Sequence, residues 1–279
     1  MLLHRHFEDN AADPPKPKPQ AIPTMERNSP KCGADYRAVV YSGTRNLYSG
    51  MVTAAKSLLY NANIDKVFFL IEDAEFPYDI PPEIECIDVS KQTFFDPRGP
   101  NYASHWTYMV LVRAALTKVF PELDKILSLD VDTIVEDDIS DLWDIDMGLH
   151  AICAVQEYHS SCRPYGDKYW NAGVMLQDLA RLRENGLDDE IIRAINRERF
   201  QYNEQCAINK YCAGKIMDLP VRYNDCYICG MTDDPAIVHY IGTSRWQTDT
   251  TLPRYNLLEV YRAMNWDDVL RTRRKRFGK

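Results

Sequence analysis

No stretch of the sequence holds the run of about 18 apolar residues that a membrane-spanning helix needs. The opening MLLHRHFEDN carries histidines and acids where a secretory leader would be continuously apolar. Both absences point to a globular, cytoplasmic chain. Cysteine is present but unframed: eight thiols lie scattered, which excludes a small disulfide-stapled domain and predicts reduced thiols. Cys226 and Cys229 stand at zinc-ligand spacing, but with no second such pair a tetrahedral site lacks half its ligands. Basic charge is in deficit, 33 Lys and Arg against 41 Asp and Glu, which argues against nucleic acid as the main partner. The six basic residues Arg271, Arg273, Arg274, Lys275, Arg276 and Lys279 crowd the C-terminus. They read as a solvated tail or as a peripheral contact with anionic lipid.

What is there suffices for a full core, with 279 residues at 45% hydrophobic. Residues 1–34 form a proline-rich arm, with Pro14, Pro15, Pro17, Pro19, Pro23 and Pro30 and few large apolar groups to offset the entropy of ordering. This arm is expected to stay outside the fold. Residues 35–250 read as one α/β domain, and 251–279 as a helical segment ending in the basic tail.

Within the domain, YRAVVYSG, DKVFFLIED and IECIDVS read as strands. The second is nearly all apolar, so it is covered on both faces as in a parallel sheet. Between the first two strands, Met51, Val52, Ala55, Leu58 and Leu59 recur at helical spacing. WTYMVLVRAALTKVF predicts a second helix, ended by Pro121. DKILSL and HAICAVQE read as strands, YWNAGVMLQDL as a strand entering a helix, residues 187–199 and 204–213 as helices, and KIMDL and AIVHYIG as short strands. The alternation predicts ligands at the carboxyl ends of the strands.

One of those ends reads Asp130-Val131-Asp132. Side chains at i and i+2 of an extended segment share a side, so the two carboxylates face one crevice while Val131 packs away. Adjacent carboxylates repel unless a cation sits between them, and Mg²⁺ or Mn²⁺ commonly bridges carboxylates to substrate phosphates. Aspartates also cap helices and open turns, as Asp137, Asp138 and Asp141 can nearby, so the pair alone does not decide. Haloacid-dehalogenase-like phosphatases use a similar pair. Their motif opens the domain and has Thr or Val where this chain has Ile134.

Six segments in order resemble glycosyltransferase family 8, the glycogenin and lipopolysaccharide galactosyltransferase group, across residues 36–247. They are VVYSGTRNLYSGMVTAAKSLL, YMVLVRAAL, KILSLDVDTIVEDDISDLW, YWNAGVMLQDL, NEQCAINKYC and VHYIGTSRW. The resemblance implies an α/β GT-A fold with a mixed central sheet flanked by helices. It implies a nucleotide-sugar donor, usually UDP-glucose or UDP-galactose, with Mn²⁺ or Mg²⁺. It also implies transfer of a hexose, with retention, to a glycan, protein or lipid acceptor.

By that resemblance, Asp130, Asp132 and His239 hold the metal. Ser42, Gly43, Thr44, Asn46, Tyr48, Arg113, Val131, Gly242 and Arg245 surround the donor. Asn171 hydrogen-bonds the sugar, with Ala172 and Gly173 leaving room for its ring, and Gln205 and Glu204 sit near the anomeric carbon. Arg245 stands where the family usually has Lys, and Glu204 where it usually has Asp. The first loop lacks the family's usual aspartate, which leaves the choice of base open. Asn203, Glu204 and Gln205 read equally well as a capped helix start. Phe94, Phe95, Tyr158 and Tyr165, in irregular loops, are candidates to stack on an acceptor sugar. Two further readings are a self-glucosylating primer, with one of 17 tyrosines as acceptor, and a non-catalytic nucleotide-sugar-binding domain.

Overall fold

Parallel strands need crossover segments, and the first half of the chain supplies them. The structure, a computed structural model, describes residues 33, 35–104, 106–158, 167–241 and 246–279. The expected proline-rich arm therefore lies outside the described residues except for Gly33.

Strands β1 (Ala38–Ser42), β2 (Lys66–Ile71), β3 (Ile84–Asp88) and β4 (Lys125–Leu129) pair in parallel in the order β3-β2-β1-β4. Helix α1 (Tyr48–Asn61) makes the first crossover. Both faces of this sheet are buried, and alternate residues go to opposite sides. Val39, Tyr41, Val67 and Phe69 join one hydrophobic cluster, while Val40, Phe68 and Leu70 join the other. That period of two explains why β2 reads as an unbroken apolar run.

The sheet then becomes mixed. Strand β7 (Trp170–Asp178) runs antiparallel between β4 and β6 (Ile152–Gln156), and β8 (Ile216–Asp218) adds to β6 in parallel. Helices α3 (Leu179–Glu184), α4 (Leu187–Arg197) and α5 (Asn203–Tyr211) follow β7 and place Leu182, Ile191 and Cys206 in the second cluster.

The expected helix at 106–120 differs. Tyr108–Ala115 is a 3₁₀ segment, and only the four residues of α2 (Leu116–Val119) are α-helical. A three-residue turn aligns positions i and i+3, so Met109, Val112 and Ala115, all buried, form one apolar line.

Beyond β4 the chain does not stay extended. Asp130, Val131 and Asp132 form a turn into a short strand, β5 (Thr133–Val135), which pairs antiparallel with β9 (Ile237–His239). This two-stranded ribbon places Thr133 opposite His239.

The C-terminal segment forms α6 (Tyr255–Ala263) and α7 (Trp266–Phe277). Asn265 caps α7 by accepting from Asp268 N, with acids in the first turn and bases in the last, as the helix dipole favours. The basic end is partly turned inward. Arg273, 2% exposed, donates to the carbonyls of Ala62 and Ile64; Arg276 donates to Tyr60 O at 3.1 Å; Lys279 pairs with Asp65 at 2.5 Å. Three of the six basic groups thus bind the carboxyl end of α1 and the turn after it, while Arg274 and Lys275 face solvent. Among the described residues no helix is long and apolar enough to cross a membrane.

Candidate active site

The β4–β5 turn and the end of β9 converge. His239 Nε2 lies 3.3 Å from Asp132 Oδ1 and 3.6 Å from Asp130 Oδ2, and one ligand atom from each residue falls within 4.8 Å of the others. The imidazole is buried, and its Nε2 has no hydrogen-bond partner. The two carboxylates are the charged groups beside that atom, so a proton or a cation on Nε2 is stabilised there. Two carboxylates and one imidazole suit a divalent ion such as Mn²⁺. Without one, burial by itself would lower the His239 pKa, but the Asp132 and Asp130 carboxylates override it and raise it to about 9. Asp132 is desolvated by the same burial, yet His239 and Arg113 hold its carboxyl below the usual range.

The ring is fixed from behind. Gly173, on β7, carries no side chain where a Cβ would collide with His239 Cε1 and lie 2.8 Å from Nδ1. The expectation that Gly173 leaves room for a sugar ring is therefore corrected: the space is taken by the imidazole. His239 Nδ1 meets Asn224 Oδ1 at 2.8 Å, and Asn224 Nδ2 donates to Asn171 Oδ1 at 2.8 Å. Asn171 Oδ1 also accepts from Gly173 N at 2.8 Å, and its Nδ2 donates to Glu157 Oε1 at 2.8 Å and to Gln205 Oε1 at 3.4 Å. A carboxamide has two donors and two lone pairs, so Asn171 is fully committed within the protein.

Gln205, on the first turn of α5, accepts from Ala172 N at 2.8 Å and donates to Glu157 Oε1 at 3.0 Å. Its side chain also hydrogen-bonds the Tyr169 hydroxyl. Asn203 is not the expected cap. It is the first residue of α5, with φ of 40°, in the left-handed region that Asn tolerates better than most residues, and its amide donates to Ser104 Oγ at 2.7 Å.

Arg113 reaches the same centre from the 3₁₀ segment. Only 6% exposed, it pairs with Asp130 and, at 3.3 Å, with Glu204. Burial opposes its charge, but the two carboxylates raise its pKa further. Glu204 is pushed up to about 7 by burial, against the pull of Arg113. Asp130, Asp132 and Glu204 face one arginine, an acidic excess that favours a cation.

The family model described as Glycosyl transferase family 8 matches residues 38–249, most of the chain. The chain belongs to glycosyl transferase family 8. Glycosyltransferase GlyF of Streptococcus pneumoniae serotype 4 is 27% identical over 266 residues, covering 84% of this chain and 63% of that protein. A glycosyl transferase of Streptococcus gordonii is 22% identical over 251 residues, covering 84% of this chain and 36% of its own length. The family-8 chain thus spans about a third to two thirds of these curated relatives. Among solved structures, the galactosyltransferase LgtC in complex with donor and acceptor sugar analogs superposes with a TM-score of 0.67 at 20% identity, covering 84% of this chain and 99% of LgtC. GlyE of S. pneumoniae TIGR4 superposes at 0.62 and 22% identity, covering 87% of this chain and 63% of that one. These likenesses establish the GT-A fold.

The family-8 loop after β1 holds the remaining expected donor residues. Ser42 ends β1, Gly43 N donates to Leu70 O, Asn46 is exposed, and Thr44 lines a cleft of about 380 Å³ with Glu72, Tyr102, Ser104, Trp106 and Tyr108. At two of the expected donor positions the side chain faces the interior. Tyr48 is fully buried, its hydroxyl donating to Asp73 and accepting from Glu72 N. The Val131 side chain belongs to the core beside Gly43. Gly242, Arg245 and Tyr165 lie outside the described residues. Phe95, a candidate acceptor contact, is buried in the core. Glu72, Glu157 and Asn224 escaped the sequence reading. Glu72 follows an apolar strand as any exit residue does, and Asn224 sits in a segment with no periodic signal. Cys226 and Cys229 are buried and free, and a thiol hydrogen bond from Cys229 lowers Cys226 to about 7.

Proposed function

We propose that the chain is a metal-dependent, retaining hexosyltransferase that uses a UDP-sugar donor. The observation that carries this reading is the convergence of the buried His239 Nε2 with the Asp130 and Asp132 carboxylates, ligand atoms within 4.8 Å of one another. Asp130, Asp132 and His239 would hold Mn²⁺ or Mg²⁺. When bound, the ion supplies Lewis-acid charge against the leaving diphosphate.

The chain's own residues do the rest. Arg113 screens Asp130 from Glu204, so both acids can stay near the reaction centre. The acid missing from the first loop has a substitute in Glu72, which accepts from Arg45 N at 3.0 Å and borders the cleft. Tyr102 and Tyr108 stack there at 4.9 Å and 5°, so the cleft offers a base an aromatic wall and a carboxylate acceptor for a ring N–H. Gln205 is held by Ala172 N, Glu157 and Tyr169, a fixed amide that suits a positioning role. Glu157 Oε1 already accepts from two amides, which blunts it as a nucleophile and favours attack by the acceptor on the face that UDP leaves. The acceptor is a glycan, protein or lipid, and the site of action is the cytoplasm, with Arg274 and Lys275 left for contact with anionic lipid.

The test is UDP or GDP release from UDP-glucose, UDP-galactose, UDP-N-acetylglucosamine and GDP-mannose, with and without Mn²⁺, alongside intact-mass measurement of the chain. The reading expects Mn²⁺-dependent release from a UDP-hexose that Asp132→Asn abolishes. Full activity in Asp132→Asn overturns the metal assignment. No turnover with any donor favours a non-catalytic binder, and a hexose mass increment on the chain favours a self-glucosylating primer.

A further inference from the structure

The amides behind the metal-facing residues have only one consistent orientation. A backbone N–H can only donate, so Gly173 N fixes which end of Asn171 is oxygen. The carboxylate of Glu157 only accepts when ionised, so it independently demands nitrogen at the other end, and the two anchors agree. Asn171 Oδ1 must then receive Asn224 Nδ2, which leaves Asn224 Oδ1 facing His239 Nδ1. An amide oxygen there requires Nδ1 to carry the hydrogen. The neutral ring consequently presents its lone pair at Nε2, the atom directed at both aspartates. The same reasoning orients Gln205, whose Oε1 is pinned by Ala172 N and whose Nε2 is pinned by Glu157.

We infer that Asn171 and Asn224 are positioning residues. They select the His239 tautomer that leaves Nε2 bare for a cation, and through Glu157 they tie that choice to the orientation of the Gln205 amide. Asn224 is fully buried and Asn171 nearly so, at 0% and 2% exposed, so water does not substitute for either amide. The inference rests on the metal reading proposed above.

The test measures Mn²⁺ affinity by electron paramagnetic resonance, and kcat and KM for the donor, in the full chain and two variants. Asn224→Leu removes the acceptor at Nδ1 and is expected to weaken Mn²⁺ about 10–100-fold, the usual effect of losing such a partner. Asn224→Asp keeps an acceptor at Nδ1 but places an oxygen against Asn171 Oδ1. It is expected to hold Mn²⁺ within about threefold of the parent while kcat falls, because the disturbance passes to Gln205. A merely structural role would move both variants together. A folded Asn224→Leu that binds Mn²⁺ like the parent overturns the inference, as does Asn224→Asp losing Mn²⁺ affinity on the 10–100-fold scale. Should Asn224→Leu fail to fold, Asn224→Asp decides alone: Mn²⁺ held while kcat falls supports the inference, and an unchanged kcat overturns it. Absence of Mn²⁺ binding by the parent chain overturns the underlying metal reading instead.

Discussion

The imidazole of His239 occupies the space that a side chain at Gly173 would need. A residue on the central sheet thereby dictates where a residue on the small β5–β9 ribbon points. Gly173→Ala is expected to push the ring off the aspartates, weakening Mn²⁺ binding about tenfold or more. The overpacking should cost about 1–3 kcal/mol of stability. Mn²⁺ titration and denaturant midpoints on the same variant check both.

His239 also sets a pH dependence. Its pKa rises from 6.5 to about 9 beside the carboxylates, so in the metal-free chain this interaction stabilises the fold in full below about 6.5 and is lost as pH climbs through about 9. A cation needs the bare Nε2 and must displace the proton. At pH 7.5, Mn²⁺ binding should release about one proton, and apparent affinity should rise by about tenfold per unit between pH 7 and 9. Calorimetric titration in two buffers of different ionisation enthalpy reads the proton directly. Identical heats would contradict the assignment.

Arg113 holds two acids apart. Arg113→Met leaves Asp130 and Glu204 close together in a buried centre, with an expected cost of about 3–5 kcal/mol. Glu204 already has its pKa raised to about 7, so ionising it drains stability from the fold as pH rises through that value. The variant should therefore be worse at pH 8 than at pH 6, where Glu204 can take up a proton. Urea midpoints at the two values show the difference.

The C-terminal helix offers a comparison within one turn. Arg273 is buried against the Ala62 and Ile64 carbonyls, whereas Arg274 is exposed. Arg273→Ala is expected to lose about 2–3 kcal/mol, the scale of charged hydrogen bonds made in the interior. Arg274→Ala should stay within about 0.5 kcal/mol of the parent. Thermal unfolding distinguishes the two.

These residues also show what a sequence can and cannot convey. The parallel half of the sheet was readable because β-strand alternation and the α1 spacing are local patterns. The aspartate pair was readable as chemistry, since two carboxylates at a strand end are unusual unless something binds between them. Its geometry was not: the segment is a turn, and the third group arrives through β5, too short at three residues to announce itself. Asn171 stood out in its motif, but its partners Glu157 and Asn224 are brought to it only by folding, so its commitment to the interior was invisible. The 3₁₀ segment escaped because its apolar residues satisfy either helical period. In the basic tail, composition reports charge and not the carbonyls of α1 that receive Arg273 and Arg276.

The most direct test of the central claim is the linkage between Mn²⁺ and UDP, measured by titrating each in the absence and presence of the other. If Asp130, Asp132 and His239 hold an ion that grips the diphosphate, the chain binds one Mn²⁺. Each ligand then tightens the other by the same factor, and Asp132→Asn abolishes both effects. UDP affinity indifferent to Mn²⁺, in a parent chain that binds both, would contradict the account.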